Sequence, residues 1–247
     1  MATFVLVHGA WHGGWCWRKL TPLLRAAGHE VYTPTLTGLG ERSHLGSPAV
    51  GLATHVRDVA QVLWYEDLAD VVLVGHSYGG LVIGGVADQV PARLAHLVYL
   101  DAFVPEHRQS MLDLGPPERR LAMQARVAAE GDGWLLPSLQ PVPWEQFVRE
   151  VYRVTDPAEV AWLVARLGPH PFKTMTDPSE LTNPAAAALP RTYIRCRDYP
   201  NPAFDRLADR ARAPGSGWRF HELPTSHDAM VTMPRELADL LLTTAAL

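Results

Sequence analysis

Apolar residues in this chain alternate between two patterns. Short runs at Phe4 to Val7, Val31 to Thr33, Val71 to Val74, Leu94 to Leu100, Thr192 to Cys196 and Trp218 to Leu223 are too short for helices and read as buried strands. Between them the spacing turns helical: Leu20, Leu23 and Leu24 within Arg18 to Ala27, Val56, Val59, Val62 and Leu63 within Leu52 to Leu68, then Gly79 to about Val90 and Pro202 to Ala213. A last helix opens at Pro234 and continues to Leu242, with proline in its first turn. Such alternation predicts an α/β fold with a mostly parallel sheet of about six strands, because right-handed crossovers cover both faces of each strand with helices.

The pattern breaks between Val104 and Leu189. Proline, glycine and charged residues are interleaved there with helical stretches at Arg119 to Ala129, Trp144 to Val154 and Pro157 to Leu167. A helical cap over 104–189 is expected, inserted into a core made of 1–103 and 190–247. Pro34 to Gly51 reads as a long loop.

Composition narrows the class. A chain of 247 residues with 47% hydrophobic and 19% charged residues and a formal net charge of -4 suits one domain without a basic surface for a phosphate backbone, so nucleic acid is not an expected partner. No apolar run approaches the roughly eighteen residues of a membrane span, and Met1 to His8 has no basic segment, so a cytoplasmic protein without a membrane partner is expected. Cys16 and Cys196 read as free buried thiols. No cofactor or metal is expected, and a homodimer is left open.

The first chemical signal is Gly75-His76-Ser77-Tyr78-Gly79, set between the apolar strand Val71 to Val74 and a helix. A serine oxygen attacks a carbonyl only where it protrudes from the backbone beside a base, and a sharp strand-to-helix turn with glycines on either side provides the protrusion. The alternative is a glycine-rich turn with an incidental serine. After the first strand comes His8-Gly9-Ala10-Trp11-His12-Gly13-Gly14, where glycines allow close backbone approach. The N–H groups of Ala10 and Tyr78 are the expected oxyanion donors. A metal pair at His8 and His12 lacks the helix and the accompanying Glu, and a dinucleotide loop lacks the Gly-x-Gly-x-x-Gly spacing.

In chain order the base should follow the last strand, where His227 stands in Thr225-Ser226-His227-Asp228. A carboxylate must then fix its tautomer. Asp198, after the penultimate strand, is the leading choice, Asp101 is the alternative, and Asp205 falls inside a helix.

Together Phe4 to Trp17, Gly75 to Gly80, Tyr193-Ile194-Arg195-Cys196 and His227-Asp228-Ala229-Met230 resemble the methylesterase and hydroxynitrile lyase family of α/β-hydrolases, which includes plant salicylate and jasmonate methyl esterases and bacterial relatives. The resemblance implies Ser77, Asp198 and His227 as a triad and Ala10 and Tyr78 as the oxyanion hole. This chain is shorter before the acid, with Cys196-Arg197-Asp198 where the family has Cys-Thr-x-Asp. Cyanohydrin-cleaving members carry Thr at the Ala10 position and Lys after the histidine, so Ala10 and Asp228 disfavour lyase chemistry.

The expected activity is hydrolysis of small carboxylic esters through an acyl-enzyme, falling as pH drops through the imidazole range near about 6.5. Trp11, His12, Trp134, Trp144 and Phe172 are candidate pocket residues, although such aromatics are also ordinary core. A hydrolase of lactones or other activated acyl compounds and a non-catalytic receptor on the same fold are the competing readings.

Overall fold

The computed structural model describes residues 1–245. Its main sheet has six strands, all parallel, in the order β2-β1-β3-β4-β7-β8: β1 (Thr3–Val7), β2 (Glu30–Tyr32), β3 (Val71–His76), β4 (Leu94–Leu100), β7 (Arg191–Cys196) and β8 (Trp218–Leu223). Each run read from the sequence as a strand is one, within a residue or two. β3 is buried along its whole length, as the apolar run Val71 to Val74 requires, while the edge strand β8 is mostly half-buried and exposes Arg219 and Glu222.

Helices cover the sheet. α1 (Thr21–Ala26) follows a 3-10 segment at Gly14–Lys19, which takes up Arg18 and Lys19, the first two residues of the helix expected from Arg18. α2 (Leu52–Tyr65) buries Val56, Val59 and Leu63, one helical face. α3 (Gly79–Gln89) leaves the elbow directly, and its first glycines allow close approach: a methyl on Gly80 would lie 2.0 Å from the Phe103 carbonyl oxygen. α9 (Pro202–Arg212) is capped by Asn201, whose side chain accepts from the Ala203 N–H at 3.0 Å. α10 (Ala229–Thr232) and α11 (Pro234–Ala245) close the chain.

Between β4 and β7 lie α4 (Pro117–Glu130), α5 (Trp144–Glu150), α6 (Pro157–Val164), α7 (Lys173–Thr176) and α8 (Pro184–Ala187). This region is not wholly helical. Leu135–Leu136 (β5) and His170–Pro171 (β6) form a small antiparallel ribbon that periodicity over two residues cannot reveal. Among the described residues no helix is long and apolar enough to cross a membrane.

The chain leaves β1 toward β2 on one side and later returns to place β3 on the other. Neighbouring crossovers therefore diverge between β1 and β3, opening a crevice at their carboxyl ends. The loops carrying Gly9-Ala10 and Ser77 both start there.

Candidate active site

Three of the eight non-glycine residues with positive φ among the described residues stand at the carboxyl ends of the central strands. Trp11, Ser77 and Asp101, which follow β1, β3 and β4, all have positive φ, at 65°, 53° and 42°. Non-glycine residues hold that conformation only where surrounding bonds over-determine it. For Ser77 those bonds are visible. Its N–H donates to the Leu100 carbonyl at 3.2 Å, and its carbonyl accepts from Gly80 and Phe103 at 3.1 Å each. The elbow is thus fastened to the end of β4, the strand that delivers Asp101.

His227 lies against the elbow. The ring of His76, the residue before Ser77, is 4.5 Å from the His227 ring, and its Nε2–H donates to the His227 carbonyl at 3.0 Å. Tyr199 stacks on His227 at 4.3 Å, Tyr152 and Phe204 pack at 5.3 and 5.7 Å, and the His227 N–H donates to the Tyr152 carbonyl at 3.3 Å. The imidazole is held within an aromatic shell with little room to rotate.

The carboxylate on this imidazole is not that of Asp198. Nδ1 of His227 donates to Oδ2 of Asp101 at 2.7 Å, with both side chains buried. Asp198 is 55% exposed and lies 3.8 Å from Arg197. The physical reason is in the loop after β7. Arg197 and Asp198 bond through their N–H groups to the Leu223 and Thr225 carbonyls, and the loop turns Tyr199, rather than Asp198, onto His227.

Arg195 completes the arrangement. From inside β7 its Nη1 donates to Oδ1 of Asp101 at 2.7 Å, and the Cys196 N–H donates to the same oxygen at 3.1 Å. Its Nη2 donates to Asp205 at 2.8 Å and to the Tyr199 carbonyl at 2.6 Å. Asp205, the third acid considered, therefore anchors the arginine from α9. A charged residue within the buried part of β7 was the signal that a buried carboxylate stands nearby, and Asp101 follows the neighbouring strand β4.

The loop after β1 is aimed by histidines. His8 accepts the Leu36 N–H on Nε2 at 3.1 Å, so its Nδ1–H donates to the Gly9 carbonyl at 2.8 Å; burial lowers its pKa from the usual 6.5 to about 3 and keeps it neutral. In a trans peptide the N–H points opposite the carbonyl, so this bond directs the Ala10 N–H away from His8. The Trp11 N–H is taken by Nδ1 of His170 at 3.3 Å, and Nε2 of His170 bonds Oγ1 of Thr174 at 2.7 Å. Among the described residues the N–H groups of Ala10 and Tyr78 have no acceptor, and the Tyr78 hydroxyl is drawn off to Nδ1 of His55 at 2.9 Å. Proximity to the serine is tight: a methyl on Gly9 would lie 3.0 Å from Cβ of Ser77.

The expected pocket residues separate. Trp11 is buried, with its indole N–H on the Leu136 carbonyl at 3.1 Å and its own carbonyl accepting from Gly168. Three bonds thereby tie the region around β5 and β6 to the loop after β1. His12 faces Asp228 rather than open space, Phe172 is buried, and Trp144 packs edge-on against Phe147. Only Trp134 of the five lines the open cleft of about 660 Å³ whose walls include Trp15, Leu39, Arg166 and Gly168. Cys16 and Cys196 are free and buried, and burial raises both thiols.

The chain is similar over nearly its whole length to several known proteins. A model of the alpha/beta hydrolase family matches residues 4–240. A carbendazim hydrolyzing esterase from Nocardioides sp. is 43% identical over 98% of each chain. Methylesterase 2 of Arabidopsis thaliana is 26% identical, with 98% of this chain and 95% of the relative covered. An extracellular alpha/beta-hydrolase from a Paenibacillus species superposes with a TM-score of 0.84 at 26% identity, covering 99% of each chain.

Proposed function

The chain belongs to the alpha/beta hydrolase family, among its methylesterase-like members, and is an ester hydrolase; from that premise we propose that Ser77, His227 and Asp101 carry the reaction on small carboxylic esters. The observation that carries the assignment is the 2.7 Å bond between Nδ1 of His227 and Asp101, beside an elbow that strains Ser77 into the left-handed region.

With Nδ1–H committed to Asp101, Nε2 of His227 is the free basic nitrogen, the tautomer that a general base needs. It takes the Ser77 proton as the serine oxygen bonds to the ester carbonyl carbon. Negative charge moves to the carbonyl oxygen, which the N–H groups of Ala10 and Tyr78 stabilise by about 3 kcal/mol each. Collapse breaks the bond to the alkoxy group, which leaves as alcohol with the proton held by His227. Water, deprotonated by the same nitrogen, then releases the acid and restores Ser77.

Asp101 stabilises the imidazolium formed in both halves. Arg195 neutralises that carboxylate in the ground state and fixes its direction, so that a buried charge is never left unpaired. The test is Ser77→Ala together with a fluorophosphonate probe. The wild-type chain should label at Ser77 and turn over p-nitrophenyl acetate, and Ser77→Ala should lose both, by at least about 1,000-fold in turnover. Full turnover by Ser77→Ala would remove the serine mechanism, and labelling without turnover would favour the receptor reading.

A further inference from the structure

Asp228 directly follows the base and is fully buried, yet the mechanism above makes no use of it. Its Oδ2 lies 3.3 Å from Nε2 of His12, and its Oδ1 lies 3.7 Å from Nε2 of His76 with no hydrogen-bond partner among the described residues. The other nitrogen of His12, Nδ1, is 2.7 Å from the Ala10 carbonyl. A carbonyl can only accept, so Nδ1 carries a proton, and the Asp228 carboxylate calls for a second proton on Nε2.

We propose that His12 and Asp228 form a buried imidazolium–carboxylate pair that positions the oxyanion loop against the base loop. This rests on the serine mechanism above. Neither residue touches substrate. They are positioning residues acting through the Ala10–Trp11 peptide, whose carbonyl is held by His12 and whose N–H is held by His170.

Three features support the assignment. First, Trp11 at φ 65° needs an external restraint, and a charge-assisted bond to the preceding carbonyl is a strong one. Second, Trp15 stacks on His12 at 5.4 Å and Tyr152 packs at 5.7 Å, so the ring is clamped in the plane that reaches both acceptors. Third, burial alone would lower His12 and raise Asp228, but each overcomes its burial through the other: His12 is raised above 6.5 and Asp228 is lowered to about 2. Among the other titratable neighbours, His76, His8, Cys16 and Tyr152 do not compete for the proton, since burial holds both histidines neutral and keeps the thiol and the phenol protonated, while His227 is committed to Asp101 through Nδ1. Since Asp228 is covalently next to His227, any shift of the base loop is passed to Ala10, keeping the proton-accepting nitrogen and the oxyanion donor in register.

The experiment has two arms, both on the full chain. In ¹⁵N spectra at pH 8, both His12 ring nitrogens should be protonated in the wild type, assigned by their loss in His12→Gln, and Asp228→Asn should return His12 to a neutral ring. Kinetically, Asp228→Asn and His12→Gln should each lower kcat for p-nitrophenyl acetate about tenfold with KM within about twofold, and the double variant should be no worse than the poorer single one. If Asp228→Asn does not fold, His12→Gln carries the kinetic arm alone. A neutral His12 in the wild type at pH 8, or unchanged kcat in a folded variant, would overturn the pair. Failure of the wild type to label at Ser77 would instead overturn the serine mechanism, while the spectra would still decide the pair.

Discussion

Oδ2 of Asp101 stands 2.7 Å from Nδ1 of His227, reaching it from the end of the strand that also pins the backbone of Ser77. Ser77 and Asp101 therefore share one support. The bond from the Ser77 N–H to Leu100 and the bond from Asp101 to His227 involve consecutive residues, the last of β4 and the one that follows it. A displacement of β4 would move the acid and the elbow together.

Arg195 is the first consequence. Its guanidinium is the main counter-charge of a fully buried carboxylate, so Arg195→Met should strand that charge and disturb the imidazole bond. We predict a fall in kcat of about 100-fold, a Tm lowered by several degrees, and only partial recovery in Arg195→Lys, because a single ammonium cannot bridge Asp101, Asp205 and the Tyr199 carbonyl together. Steady-state kinetics alongside thermal melts check this; an Arg195→Met variant with wild-type kcat would contradict it.

Gly9 offers a probe of the oxyanion loop. A methyl there would meet Nδ1 of His76 at 2.9 Å and Cβ of Ser77 at 3.0 Å, so Gly9→Ala must push the loop off the elbow. The expected result is a loss of about 100-fold in kcat, the scale of one misplaced oxyanion donor, with the protein still folded by circular dichroism. Wild-type kcat in Gly9→Ala would show that this loop does not serve the reaction.

Buried histidines make stability depend on pH. His8 falls from 6.5 to about 3 and His55 to about 4, and burial also depresses His76 and His170. The unfolded chain binds protons at these sites below pH 6.5 while the folded chain does not, so stability is lost as pH falls from 6.5 toward 3. His8 alone accounts for about 3 kcal/mol at pH 4. Asp228, lowered from 3.8 to about 2, adds to the loss below pH 3.8. His12 acts oppositely, since its raised pKa stabilises the fold below 6.5 and releases that contribution as pH rises through its folded value. Melting curves from pH 4 to 8 should show Tm falling steeply on the acid side; a flat profile would contradict the neutral buried state of these rings.

Most of this architecture was legible in the chain. Continuous apolar runs such as Val71 to Val74 can only be strands buried on both faces, and the glycines around Ser77 mark a turn whatever lies around it. Position after a strand was enough to single out His227, which the fold sets against the elbow. It was not enough to choose between Asp198 and Asp101, because both follow strands on the same side of the base and the choice depends on which way one short loop rotates. The better clue was Arg195, a charge in a buried strand whose partner had to lie nearby. The ribbon of β5 and β6 and the His12–Asp228 contact join residues more than thirty positions apart and have no periodic signature.

The most direct test of the whole account is a comparison of kcat in Asp101→Asn and Asp198→Asn. The amide in Asp101→Asn keeps the size of the side chain but removes the charge and favours the wrong imidazole tautomer, so kcat should fall by about 10,000-fold at neutral pH. Asp198→Asn, on the surface, should stay within about twofold of the wild type. The reverse pattern, with Asp198→Asn inactive and Asp101→Asn near wild type, would contradict the assignment of the acid and the mechanism built on it.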